Sequence, residues 1–128
     1  MKAIVRVFLF ILFANNVSGQ KLSENATISI ITLGPFQEEL YSAFGHSAFR
    51  VYDPVLEIDN AYHYGVFDFD QPNFYLNFAR GYLYYKQGIN NYLPFQDYYI
   101  YYNRKVHQQV LNLTDEQRQK LYDYLQWN

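Results

Sequence analysis

His46-Ser47-Ala48-Phe49-Arg50-Val51-Tyr52, closed by Asp53-Pro54, is followed within a few residues by Asn60-Ala61-Tyr62-His63-Tyr64-Gly65-Val66-Phe67. Both runs are rich in aromatic and β-branched residues, and the Asp-Pro pair between them is a turn signal. They read as two strands, the second from about Ile58 to Phe67, joined as a hairpin. Period two places His46, Ala48, Arg50 and Tyr52 on one face of the first strand and leaves Phe49 and Val51 for the core. On the second strand Tyr62, Tyr64 and Val66 share one face, and Ala61, His63 and Gly65 share the other.

Upstream, Thr27-Ile28-Ser29-Ile30-Ile31-Thr32-Leu33 is apolar and β-branched and ends at Gly34-Pro35, a further core strand. Between it and the hairpin, Phe36 to Phe44 carries Glu38 and Glu39 in its first turn. Leu40, Tyr41 and Phe44 fall at helical spacing before Gly45, so a short helix is expected. Downstream, Pro72 opens a helical stretch, Asn73 to Arg80, that Gly81 closes. Tyr82 to Gln87 reads as a strand. Pro94 to Tyr102 is so rich in tyrosine that strand and helix are equally compatible with it, and Lys105 to Leu111 reads as a strand. The last element is a helix whose N-terminus has a capping box, Thr114 with Gln117, and whose apolar face would comprise Leu121, Tyr124, Leu125 and Trp127. The sum is an α+β domain, a small antiparallel sheet with flanking helices. No internal repeat, low-complexity linker or block of like charge interrupts it.

The start of the chain has a different character. Lys2 and Arg6 precede the apolar run Val7 to Ala14, and Val17-Ser18-Gly19 offers small residues for cleavage, the pattern of a secretory signal peptide over residues 1–19. The run falls short of the roughly 20 apolar residues that a spanning helix needs. A mature protein would begin near Gln20 and work outside the cytoplasm. Its 20–128 segment is long enough for one small core.

The chain contains no cysteine. An exported domain without disulfides must be held by packing alone, and the leader lacks the cysteine of a lipoprotein signal. Net charge is −2, and removing Lys2 and Arg6 leaves eight basic against 12 acidic residues, −4, a balance that does not suit a nucleic-acid partner. The 15 Tyr and 11 Phe supply large apolar area with polar handles, suited to packing and to binding alike.

Three side chains, His46, His63 and His107, are of the one type whose unperturbed charge change falls near neutrality. No serine sits in a G-x-S-x-G elbow. His46 is the first candidate for chemistry, because it follows Gly45 at a helix-to-strand junction, where rigid elements hold a side chain that can still face a cleft. A metal site built from the histidines with Asp59, Asp68 or Asp70 is the rival use, although no H-x-H or H-E-x-x-H spacing is present. His107, beside two glutamines, reads as a surface residue. Arg50 and Arg80 are candidates for an anionic head group or for pairing with nearby carboxylates. Asp68, after the Tyr62-to-Phe67 strand, could orient an imidazole or a turn.

In order along the chain, the strand Ile28 to Leu33, then Glu39-Leu40-Tyr41-Ser42-Ala43-Phe44-Gly45-His46-Ser47-Ala48-Phe49-Arg50-Val51, then Tyr62-His63-Tyr64-Gly65-Val66-Phe67-Asp68-Phe69, then Pro72 to Gly81 resemble the Lnb N-terminal periplasmic domain family. Val110-Leu111-Asn112-Leu113-Thr114 and the helix after it extend the resemblance over almost all of the mature chain. The F-G-H-S-A-x-R and Y-G-x-F-D-F blocks are specific in combination.

The resemblance implies a papain-like, circularly permuted fold in which His46 is the general base for a thiol that comes later in sequence, with Tyr64 or Asp68 as possible orienting residues. It implies lipoprotein N-acylation from a lipid acyl donor, and so a lipid or lipoprotein substrate at the outer side of the inner membrane, with Arg50 and Arg80 as substrate-binding candidates. No cofactor and no metal are expected. The family's Asn-Cys pair follows the last helix, and this sequence ends at Asn128 before reaching it. The expectation is therefore an incomplete, C-terminally truncated domain or a short relative, whose remaining part would be membrane-embedded. Such a domain should present His46 to a groove and expose an apolar face. The alternative is a non-catalytic exported binding module that uses its aromatic surface for lipid, glycan or protein.

Overall fold

The β-branched run Thr27–Leu33 forms the first strand, β1, in the computed structural model of the protein, which describes residues 19–38 and 42–128. The expected hairpin follows as β2 (His46–Asp53) and β3 (Ile58–Val66), paired antiparallel with Ala48 opposite His63 and Arg50 opposite Ala61. Helix α1 (Phe74–Arg80), strand β4 (Lys86–Asn91), helix α2 (Tyr92–Tyr101), strand β5 (Val106–Val110) and helix α3 (Asp115–Trp127) follow among the described residues. The five strands make one antiparallel sheet in the order β4-β3-β2-β1-β5. The fold is α+β. Among the described residues no helix is long and apolar enough to cross a membrane.

Period two in β2 and β3 divides the core between the two faces of this sheet. On one face Ile28, Val51 and Tyr62 pack with Tyr122 and Leu125 of α3 and with Leu22 and Ala26, and Phe49 joins this side. On the other, Ile31, Leu33, Ala48 and Ala61 pack beneath Tyr92, Phe95 and Tyr99 of α2. The face that carries His46 is thus a second core face as well. Each large side chain buried this way contributes about 1.5–3 kcal/mol, which is how a domain without disulfides holds together. One buried carboxylate ties the first side to the chain's start. Asp53 accepts hydrogen bonds from the Ser23 N–H and hydroxyl, both at 2.7 Å, and from the Val55 and Leu56 N–H groups.

Several local expectations shift. The region Tyr82 to Gln87 is mostly loop, and its strand begins only at Lys86. The backbone of Tyr84 bonds the Gln71 side chain, through its N–H at 3.1 Å and its carbonyl at 3.2 Å, instead of a neighbouring strand. The tyrosine-rich segment from Pro94, equally compatible with strand and helix in sequence, lies in helix α2, since Tyr92, Phe95 and Tyr99 fall three and four residues apart and bury together. In α3 the capping box forms as expected, but the buried face is Tyr122 and Leu125, whereas Tyr124 and Trp127 are exposed. The expected helix Phe36 to Phe44 falls partly on residues 39–41, and the expected signal peptide mostly on residues 1–18, both outside the described residues. Helix α1 begins at Phe74, two residues after Pro72, and ends at Gly81, where the Tyr82 N–H donates to Asn77 O at 2.8 Å.

Candidate functional site

The β2–β3 register decides what faces His46. Ala48 pairs with His63, so carrying the pairing two residues further sets Gly65 across from His46. A Cβ on Gly65 would lie 2.8 Å from His46 Cε1, and a Cβ on Gly88, which pairs with His63 on β4, would lie 2.6 Å from His63 Nε2. Two glycines therefore leave the room in which two imidazoles meet. His46 Nε2 and His63 Nδ1 are 3.2 Å apart with the rings edge to face, and His63 Nε2 is 2.9 Å from Asn90 Oδ1. Phe95 of α2 closes over His63, with ring centroids 5.3 Å apart.

The Asn90 amide orientation selects one set of tautomers. With the Asn90 carbonyl oxygen as acceptor, His63 carries its proton on Nε2 and accepts at Nδ1, so His46 donates from Nε2. The lone pair of His46 is then on Nδ1, which makes no hydrogen bond among the described residues. Burial, the neighbouring His63 and the Arg104 guanidinium lower the His46 pKa from 6.5 to about 4. The ring is neutral at pH 7, a proton acceptor by form. It lines a cleft of about 320 Å³ bounded by Phe36, Ser42 and Gly45 on one side, Tyr64, Phe67, Phe78 and Tyr85 on another, and Tyr98, Tyr99 and Arg104 from α2 and the turn after it.

Of the residues singled out in the sequence, His46, His63, Tyr64 and Gly65 line this cleft. Tyr64 accepts from Gln87 Nε2 at 3.3 Å. Asp68 lies in the turn after β3, where its Oδ1 accepts from the Asp70 N–H at 2.9 Å. The group that meets the His46 imidazole is His63. Arg50 shares the His46 face but is engaged: Nε and Nη2 grip the two Asp59 oxygens at 2.7 and 2.9 Å, and the guanidinium stacks 3.8 Å from the Tyr92 ring centre. Arg80 is exposed in the last turn of α1 and does not line the cleft. His107 is exposed on β5. Among the described residues no three His, Asp or Glu side chains gather as a metal site. Asn90 and Arg104 had no signal in the sequence. Asn90 becomes visible only through strand pairing, and Arg104 only through the return of the chain from α2 to the Gly34 carbonyl, to which its Nε donates at 2.7 Å.

Two consequences are measurable on the isolated chain. Gly65→Ala is expected to cost about 1–3 kcal/mol, since the His46 ring must leave its place, and to change the imidazole nitrogen resonances of both histidines. Unchanged resonances would contradict the close approach. The second concerns pH. The folded pKa of His46 lies below its unfolded value, so between pH 6.5 and about 4 the unfolded chain takes up a proton that the folded chain refuses. Stability is then complete above 6.5 and declines as pH falls to about 4, by about 2 kcal/mol after allowance for partial exposure. Urea unfolding at a series of pH values should show this loss, and His46→Gln should flatten it.

The model of the Lnb N-terminal periplasmic domain family matches residues 15–128. No curated protein and no solved structure matches the chain. The match runs through every strand and helix described above, including the β2–β3 hairpin that brings His46 to His63. The chain therefore belongs to the family described as the Lnb N-terminal periplasmic domain.

Proposed function

We propose that this domain supplies the imidazole base of a thiol-dependent acyl transfer or ester hydrolysis in the cell envelope, on a papain-like framework, with a lipid acyl donor and a lipoprotein amine as the natural pair. The carrying observation is His46: one ring nitrogen is tied to His63, and the other has no hydrogen-bond partner among the described residues on a side chain that lines a cleft. In this reading His46 Nδ1 takes the proton of a thiol, and the thiolate attacks the ester carbonyl. The alcohol leaves with that proton, and a thioester remains. An amine or water then takes the acyl group and frees the thiol. His63, backed by Asn90, keeps the His46 ring in the tautomer that presents Nδ1.

The 128 residues hold no cysteine, so the thiol comes from outside them. Export fits the family's description as a periplasmic domain and the signal-peptide pattern of residues 1–19. The proposal places the domain at the outer side of the inner membrane, against a partner segment embedded there. The test uses a chain that joins this domain to a thiol-bearing segment, incubated with an ester acyl donor. The expected result is an acyl adduct, seen by intact mass, that hydroxylamine removes. No adduct with His46 intact would overturn the reading.

A second reading rests on the cleft's aromatic lining, which includes Phe36, Phe67, Phe78, Tyr85, Tyr98 and Tyr99. Those rings suit a non-catalytic binding module for a lipid, glycan or protein. It predicts binding by the 128-residue chain that His46→Ala leaves unchanged.

A further inference from the structure

Arg104 stands apart from the other arginines whose partners are visible. Arg50 is paired with Asp59, and Arg118 with Asp115. Arg104 has no carboxylate among the described residues. Its Nε donates to the Gly34 carbonyl, its guanidinium lies 4.6 Å from the Tyr99 ring centre and 5.8 Å from that of Phe36, and its Nη2 is buried without a hydrogen-bond partner among the described residues. A buried N–H donor left unmade carries a free-energy cost, and a charged one more so; such a group is a place to look for a ligand or ion.

The surroundings favour one sign of charge. Among the described residues no Asp or Glu lines the cleft, Arg104 is its one cationic side chain, and His46 is neutral there above pH about 4. The guanidinium is held by backbone and rings in a fixed orientation, which lowers the cost of a charge-assisted hydrogen bond to an oxyanion. Elsewhere in the cleft lining, Phe67, Phe78, Tyr85 and Tyr98 offer apolar contact for whatever the anion is attached to.

We propose that Arg104 forms an oxyanion-binding subsite in the His46 cleft, which takes the phosphate of an amphiphilic ligand while the aromatic walls take its apolar part. The phosphate could be carried by a lipid head group or be free in solution, and the two sources differ in what the rings add. The subsite does not depend on the acyl-transfer reading, because binding needs no thiol. Failure of one therefore leaves the other standing.

The test is binding to the 128-residue chain, followed through the His46 imidazole resonances, with three probes: inorganic phosphate, dihexanoylphosphatidylglycerol below its micelle concentration, and neutral dihexanoylglycerol. The phospholipid is expected to shift the resonances saturably and to raise the His46 titration midpoint above its ligand-free value, as a nearby anion favours the imidazolium. Arg104→Gln should weaken that binding by at least about tenfold, and Arg104→Lys, which keeps the charge but loses the planar guanidinium, should fall between. Thermal unfolding of both variants identifies any that fail to fold, and the lysine variant then carries the comparison. Phosphate alone producing the same shift would support a subsite open to the free ion; a response to the phospholipid alone would support the head group as source. Equal binding of neutral diacylglycerol, no saturable response to either phosphate-bearing probe, or full affinity in a folded Arg104 variant would each overturn the proposal.

Discussion

In a chain that also carries the attacking thiol, His46→Gln is expected to lower the single-turnover rate of thioester formation by about 10³-fold, while the protein stays folded. Glutamine can keep a hydrogen bond to His63 Nδ1 through its amide N–H, so the local packing survives. What it lacks is a nitrogen lone pair able to take a proton. His63→Gln is expected to cost less, about 10–100-fold, because it loosens the orientation and tautomer of His46 without removing the acceptor. The ordering of the two variants is the content of the prediction. Equal losses would mean that the imidazoles act as one unit, and a larger loss at His63 would reverse the assigned roles.

The low pKa of His46 bears on this result. An imidazole held at about 4 is a weak base in the empty cleft, because burial, His63 and Arg104 all disfavour its charged form. A thiolate beside Nδ1 would bring the missing negative charge and raise the imidazolium pKa toward the operating pH. The base is thus strengthened by the group it activates. The rate of thioester formation against pH should report the thiol–imidazole pair and not the ligand-free His46 value.

The parity of the strands was legible because β-branched and aromatic residues alternate around turn signals in β2 and β3, and the α3 capping box was legible because it is a local pattern four residues long. Parity alone placed His46 on one face of β2, and Ala61, His63 and Gly65 on one face of β3. It could not say that these were the same face of the sheet. That needs the register, with Ala48 opposite His63, which depends on the geometry of the Asp53-to-Glu57 turn, where Glu57 adopts φ 55°. Helix α2 was hidden for another reason. Its buried residues Tyr92, Phe95 and Tyr99 are chemically like its exposed ones, Tyr98 and Tyr101, so the polar–apolar contrast that reveals a helix is nearly absent. The arginines failed as guides because a guanidinium's role is set by its neighbours. Asp59 claims Arg50, whereas Arg104 reaches the cleft after a turn that joins α2 to β5.

Asp53→Ala is expected to destabilise the domain by about 3–5 kcal/mol, the largest effect on folding of any single polar substitution discussed, since it removes a charged acceptor from four donors at once. Oδ1 serves the Ser23 hydroxyl and the Val55 and Leu56 N–H groups, and Oδ2 serves the Ser23 N–H. Together they fasten the segment before β1 to the β2–β3 turn across 30 residues. A domain of this length has about 5–15 kcal/mol in all, so the loss takes a large share of it. Asp53→Asn separates charge from shape. Its carbonyl oxygen can keep the three Oδ1 contacts, but its amide then faces the Ser23 N–H donor to donor, and roughly half the loss should remain. The pH dependence distinguishes this carboxylate from His46. Burial alone would raise the Asp53 pKa, but the hydrogen bonds from Ser23, Leu56 and Val55 outweigh it and hold the group below its usual 3.8. Its contribution is thus fully present above 3.8 and is lost as pH falls below that value through the folded pKa. Urea unfolding of the wild type should therefore lose stability in two stages, the His46 stage from pH 6.5 to about 4 and the Asp53 stage below it. In Asp53→Asn the second stage should shrink while the first persists, and shrinkage of the first instead would show that the two groups had been assigned to the wrong windows.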